Sequence, residues 1–233
     1  IARRLGDDWR ELAARRDKLA KAAKQRRQPV EYGYHSEIAG GPDVEKWVQV
    51  ELPAVARLKE IVLHPCEDDF AGIGAGFGFP PGYRVEISAN EDFASPVIIA
   101  EQSEPGQPKR DLEAIHIPVD AEARVIRVTA TQLAPRLPTD FIFAIAELEA
   151  IDDSGANVAR GAKVTSLDSI EAPPRWRKTN LTDGKYPHGE DVTAELAEAE
   201  AALENLVLAS ATDSERELLR RDTAALKQAI AEL

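Results

Sequence analysis

The stretch Asn157-Val-Ala-Arg-Gly-Ala-Lys-Val-Thr-Ser-Leu-Asp-Ser-Ile-Glu171, followed by Asn180-Leu-Thr-Asp-Gly-Lys185, decides how this chain is read. It holds a short β pattern and one Asp-Gly turn, and a helical pattern begins soon after Gly189. A sandwich of about 100 residues cannot be completed from so short a segment. The segment therefore either belongs to the β-rich region before it or opens a second, truncated domain.

Upstream, Trp47-Val-Gln-Val-Glu-Leu52 alternates apolar and polar residues, as a half-buried strand does. Ile61–Leu63, Tyr83–Ile87, Val97–Ile99, Ile115–Ile117, Val125–Thr129 and Ile145–Glu149 are similarly short strand patterns. Turns rich in Pro, Gly and Asp separate them at the spacing of a sandwich or barrel. No helical pattern intervenes, which disfavours a parallel α/β sheet.

Taken together, these motifs resemble the discoidin, or coagulation-factor type C-like, family of galactose-binding-like domains. Asn157–Glu171 with Asn180–Lys185 resembles the opening strand and its Asp-Gly loop. Lys46–Leu52, Leu58–Leu63 and Gly82–Ser88 resemble the sandwich core, and Ala123–Thr131 with Phe143–Ile151 the closing strands. The family order is opening, core, closing; here it is core, closing, opening. The resemblance implies a mainly β fold, a circularly permuted jelly-roll β-sandwich with flanking α-helices in a hairpin or small bundle. The first and last strands of that fold are neighbours, so joining them through Asp152-Asp-Ser-Gly155 leaves the packing unchanged. The new ends then fall at Gly33–Ser36 and Tyr186–Gly189, and Val158–Val164 should pair beside Ala146–Ile151. Segments similar to 33–188 occur in large multidomain proteins of planctomycete-type bacteria.

Residues 2–27 read as a helix, with Leu5, Trp9, Leu12, Arg16, Leu19 and Ala23 at steps of three and four. Pro29 ends it. Val192, Leu196, Ala199, Leu203 and Leu206 repeat the spacing, and Thr212 with Glu215 forms a capping-box pattern that restarts a helix carrying Leu219, Leu226, Ile230 and Leu233. The expected organisation is a helical arm at 1–28, a sandwich at 29–189 and a second arm at 190–233.

The net charge of −12 argues against binding nucleic acid through its backbone, which needs a basic face. No apolar run approaches the roughly 20 residues of a membrane span. The absence of Met suggests a piece of a longer polypeptide. The single cysteine, Cys66, excludes an internal disulfide, and the acidic Glu67-Asp68-Asp69 beside it points to an idle thiol. His35, His64, His116 and His188 lack metal-ligand spacing, and no Gly-x-Ser-x-Gly elbow occurs. Asp68-Asp69 and Asp152-Asp153 are expected to be solvated turns. Ala71-Gly-Ile-Gly-Ala-Gly-Phe-Gly-Phe79 reads as a long irregular loop; it leads through Pro80-Pro81-Gly82 into a strand, so no helix N-terminus awaits a phosphate.

Sugar binding needs exposed aromatic faces and a few fixed polar groups. Of the loop aromatics, Tyr32, Tyr34, Phe70, Phe77, Phe79, Phe141, Trp176 and Tyr186 are candidates, and packing is the competing reading for several of the phenylalanines. Trp47 is expected inside. Tyr34, His35, Arg136 and Trp176 look freest to meet a ligand. The resemblance further implies a structural calcium ion held by Asp183 and Glu147, with carbonyls near Ala146 and Tyr186. Two carboxylates with carbonyls suit that hard cation. Lys185 stands near the place of the family's threonine and brings a competing charge.

The function expected from the resemblance is a non-catalytic carbohydrate-binding module from an extracellular or periplasmic multidomain bacterial protein. Its partners would be a glycan and the neighbouring domains of the parent, with neither nucleic acid nor membrane. A reading from another class is an interaction or spacer domain whose helices dock or dimerise.

Overall fold

The computed structural model describes residues 6–25, 27–103, 109, 111–189, 192–212 and 214–215. The chain divides into two compact units, a β-rich one over Arg27–His188 and a helical one from the segments on either side.

The β unit carries β1 (Tyr34–His35), β2 (Lys46–His64), β3 (Cys66–Asp68), β4 (Gly74–Phe77), β5 (Gly82–Ser88) and β6 (Val97–Gln102). It continues with β7 (Ile115–Gln132), β8 (Ala134–Leu137), β9 (Asp140–Ile142), β10 (Ala144–Ile145), β11 (Glu147–Asp152) and β12 (Lys163–Ser166). The large antiparallel sheet runs β11-β2-β7-β5-β6, and β12 also pairs with β2. Against it lie the short β1–β10 ladder and a helical turn at Lys178–Thr182. The core fills the space between: Val48, Val50, Val85, Ile126 and Val128 from the sheet meet Tyr34, Phe143, Ile145 and Leu181 in one cluster. This is a β-sandwich, and the chain is mainly β with two described α-helices.

The strand patterns at 47–52 and 61–63 belong to one long strand, as do those at 115–117 and 125–129. Each long strand contains a proline, Pro53 and Pro118, at which the β2–β7 register slips. Proline donates no ladder hydrogen bond, so the sequence breaks there while the backbone bends and continues. The length of β2 gives its halves different neighbours. Leu58–His64 pairs with β11, whereas Val48–Glu51 pairs with β12, Val164 lying opposite Val50.

This corrects the expected partner of the displaced segment. Only its first residues run beside β11, with the Val158 N–H donating to the Ala150 carbonyl at 2.8 Å. Lys163–Ser166 pairs with β2 instead. The segment nonetheless completes the same sandwich, since Ala159, Val164 and Leu181 are buried in its core. Arg27 and His188 exchange backbone hydrogen bonds of 2.9 and 3.0 Å, so the two ends of the β unit meet. That is the arrangement a permutation requires.

The glycine-rich segment is no irregular loop: β4 pairs antiparallel with β3. Gly78 ends this hairpin with φ +68°, and a Cβ there would lie 2.7 Å from the Ala144 Cβ. Only glycine accepts both the left-handed backbone and that approach. Cys66 is fully buried and its Sγ donates to the Tyr32 carbonyl at 3.2 Å; burial, then Asp68, pushes the thiol well up. Cys66 should therefore react with a disulfide reagent roughly a hundredfold more slowly in the native chain than in denaturant, because reaction waits for local opening. Comparable rates would show an accessible thiol.

In the helical unit, α1 (Gly6–Gln25) and α2 (Thr193–Ser210) pack on each other. Trp9, Leu12, Arg16, Leu19 and Ala23 are half-buried; Val192 and Ala199 are buried, and Leu196, Leu203 and Leu206 half-buried. Asp7 and Asp8 in the first turn and Lys24 in the last suit the helix dipole. The Thr212 N–H donates to the Glu215 carboxylate at 2.8 Å and the Glu215 N–H to Thr212 Oγ1 at 3.4 Å, the two bonds of the anticipated capping box. Leu5, Leu219, Leu226, Ile230 and Leu233 lie outside the described residues. No helix among the described residues is long and apolar enough to cross a membrane.

Candidate ligand-binding site

Of the four side chains expected to meet a ligand, three are buried. Tyr34 has no exposed surface, and its hydroxyl donates to the Asp168 carbonyl at 3.2 Å. His35 lies edge-on to Trp176, with ring centroids 4.9 Å apart, and its Nδ1 donates to the Ser36 carbonyl at 2.6 Å. Trp176 also stacks on Phe77 at 5.7 Å. Phe77 and Trp176, with Cys66 and Ile142, form a second apolar core under the loops, while Tyr34 belongs to the main one. A ring without an open face gives a sugar nothing to stack on, so the expected exposure of Tyr34, His35 and Trp176 is corrected. Residues 31–35 and 171–177 look like loop in sequence, but β1 and the Gly33–Trp176 and Ala172–Trp176 bridges tie them into the layer opposite the sheet.

Arg136 is also largely covered. Its Nη2 donates to Asp140 Oδ2 at 3.1 Å, and its guanidinium lies 4.6 Å from the centre of the Phe70 ring. Phe70 itself is 43% exposed. Phe77, Phe79 and Phe143 pack inside, as their competing reading had it, and Phe141 is half-buried. Trp47 faces outward rather than inward, because Val48 and Val50 take the core side of β2; Arg127 lies 4.4 Å over its ring.

The other expected site is the turn at Asp183-Gly184. Glu147 opens β11 and is fully buried. Its Oε1 accepts the Gly184 N–H at 3.0 Å, while its Oε2 has no hydrogen-bond partner. Burial above all, opposed by the Gly184 N–H and aided by Asp183 and Glu149, pushes this carboxyl up to about 9. Without a bound cation Glu147 thus holds a proton at neutral pH. Asp183 is also raised by burial, although the Lys185 N–H donates to its Oδ1 at 2.9 Å. Lys185 Nζ is committed to Glu31 Oε1 at 2.5 Å. Among the described residues no group of three or more His, Cys, Asp and Glu side chains is gathered as for a metal, so any cation here would need backbone oxygens as well. An all-oxygen donor set with one buried, unpartnered carboxylate oxygen fits a hard cation such as calcium.

Beside this turn a cleft of about 530 Å³ is lined by Arg27, Pro29, Gly184, Lys185, Tyr186 and His188. Tyr186 is its half-buried aromatic side chain. One face of the ring stacks on His64, with centroids 3.6 Å apart and planes 17° from parallel. His64 is fixed in turn, its Nε2 lying 2.9 Å from Glu149 Oε2. Glu149 Oε1 accepts from Asn157 Nδ2 at 3.3 Å, and Asn157 Oδ1 accepts the Ala150 and Ala159 N–H groups. Burial holds the His64 imidazole below its usual range, so the ring under Tyr186 stays neutral. Sequence reading counted Tyr186 among many loop aromatics. His64 and Glu149 gave no signal, because nothing in their spacing shows that a closing strand and a core strand bring them together.

No family model matches the chain, and no curated protein matches it. Several solved structures do. A family 32 carbohydrate-binding module of Clostridium perfringens NanJ, in complex with galactose, is 18% identical, covering 48% of this chain and 69% of that one at a TM-score of 0.34. CBM32-3 from a family 31 glycoside hydrolase of the same species is 19% identical, over 49% and 70%, at 0.36. A further family 32 module from that species, in complex with GalNAc-β-1,3-galactose, is 17% identical, over 46% and 66%, at 0.33. With identities below 20% and partial overlap, the architecture rests on the strand pairing given above. The solved structures that the chain resembles here are family 32 carbohydrate-binding modules.

Proposed function

We propose that the β unit is a non-catalytic carbohydrate-binding module working within a larger extracellular or periplasmic protein. The observation that carries this reading is the Tyr186 ring, laid flat on His64 and lining a cleft large enough for a sugar ring. An aromatic face offers the apolar side of a pyranose a stacking surface, and polar groups around it can meet hydroxyls. His188 and Gln28 supply such groups along the same cleft. Tyr34, His35 and Trp176 support the layer beneath, and Arg136 stays a rim candidate beside Phe70.

Calorimetry against a broad panel of plant, algal and host polysaccharides tests the reading. Binding is expected with at least one glycan, and Tyr186→Ala should weaken it roughly tenfold or more, since losing a buried aromatic face costs about 1.5–3 kcal/mol and 1.4 kcal/mol is a factor of ten. Silence across the panel, or a Tyr186→Ala variant that binds unchanged, overturns it.

The calcium ion belongs to the same proposal. Asp183 and Glu147 would hold it, with carbonyls near Ala146 and Tyr186. Once bound, it would supply the positive charge that keeps both carboxyls ionised. Neighbouring domains of the parent remain proposed partners. The helical seams are engaged with each other in α1 and α2, so docking through them is the weaker reading.

A further inference from the structure

Arg160 stands over the Asp183–Gly184 turn without a hydrogen-bond or ion-pair partner among the described residues. A Cβ built on Gly184 would lie 2.0 Å from Arg160 Nη1, 2.5 Å from Cζ and 2.8 Å from Nη2, so the guanidinium rests directly against the Gly184 Cα. The Gly184 N–H is the group that donates to Glu147 Oε1. Arginine, glycine peptide and buried carboxyl are therefore layered in contact. Gly184 has φ +75°, and the space a side chain would need is the space the guanidinium takes.

The charges around the turn differ in their commitments. Lys185 is paired with Glu31. Arg160 is exposed and makes neither hydrogen bond nor ion pair with any described residue. A guanidinium is always charged, so one held against the turn repels a second cation placed there.

We propose that Arg160 is a built-in competitor of the cation at the Asp183–Gly184 turn: its guanidinium, held against Gly184, repels a divalent ion there and lowers the affinity with which Glu147 and Asp183 take calcium. The proposal rests on the calcium reading above and adds a residue that sets the strength of that site. The side chain is exposed and free to swing away, so the competition is electrostatic and leaves the fold intact.

Calcium binding to the full chain, titrated by calorimetry at about 0.15 M salt where distant charges are screened, tests it, with calcium-dependent thermal melting as a second readout. Arg160→Gln is expected to bind calcium at least fivefold more tightly than wild type and to show a larger calcium-induced rise in melting temperature. Arg160→Lys, which keeps the charge, should stay near wild-type affinity. If Arg160→Gln binds equally or more weakly while wild type binds, the proposal falls and the calcium site stands. If Arg160→Lys tightens binding as much as Arg160→Gln, charge is not the cause and the proposal falls. If neither wild type nor Arg160→Gln binds calcium, the calcium reading fails and takes the proposal with it.

Discussion

A chain ending at Asp153 is expected to lose cooperative unfolding and its near-ultraviolet circular dichroism. That truncation removes β12 from the Val48–Glu51 half of β2, together with the buried side chains Ala159, Val164, Trp176 and Leu181. It also removes the turn whose Gly184 N–H satisfies Glu147 Oε1. Burying an aliphatic side chain contributes about 1.5–3 kcal/mol, so Val164 and Leu181 together rival the lower end of the 5–15 kcal/mol that holds a typical domain folded. The control is a chain spanning Arg27–His188, which keeps the whole β unit and is expected to melt cooperatively. If the chain ending at Asp153 melts cooperatively with an unchanged near-ultraviolet spectrum, the region before Asp153 is a complete domain and the permuted sandwich is wrong.

The second large effect is expected at Asp168. Its carboxylate pairs with Lys46 Nζ, and the side chains are 17% and 9% exposed. Its other oxygen accepts the Glu37 N–H at 2.9 Å, while its carbonyl accepts the Tyr34 hydroxyl. One residue of the displaced segment thus ties the start of β2 to the chain beside β1. Asp168→Ala would leave an ammonium group buried without its counter-charge, a loss of about 3–5 kcal/mol. At roughly 2–4 °C per kcal/mol for a domain of this size, thermal melting followed by circular dichroism should drop by about 6–20 °C. The double variant Lys46→Met, Asp168→Leu should recover most of that loss, because a well-packed apolar pair can replace a buried ion pair at little cost. A fall of less than about 1 kcal/mol in Asp168→Ala would mean that the pair behaves as a solvated surface contact.

The site was legible in part. Asp183 and Glu147 were named only because the family resemblance implies them, and the structure brings their segments together, with the Gly184 N–H on Glu147. Which aromatic lies open was not readable. Tyr34 and Tyr186 are both tyrosines in irregular sequence, yet one has no exposed surface and the other lines a cleft. Burial of a ring depends on what packs over it, and that comes from segments more than a hundred residues away, as with Tyr34 and Asp168. The His64–Glu149–Asn157 chain under Tyr186 likewise joins three strands or turns whose meeting no spacing announces.

By itself the sequence determined the class of the fold, the alternation that makes Val48 and Val50 inward residues, the helical seams, and the need for 157–184 to find its partner elsewhere in the chain. These follow from side-chain periodicity and turn chemistry, which act over a few residues. Tertiary structure decided the rest. The bends at Pro53 and Pro118 let β2 serve two neighbours, so β12 pairs where β11 does not reach. The glycine run became a hairpin because Ala144 packs against Gly78. Arg160 came to rest on Gly184 because the Gly161 N–H donates to the Thr182 carbonyl and the Thr182 hydroxyl to the Ala162 carbonyl, contacts that bring an exposed arginine to a turn 24 positions further along the chain.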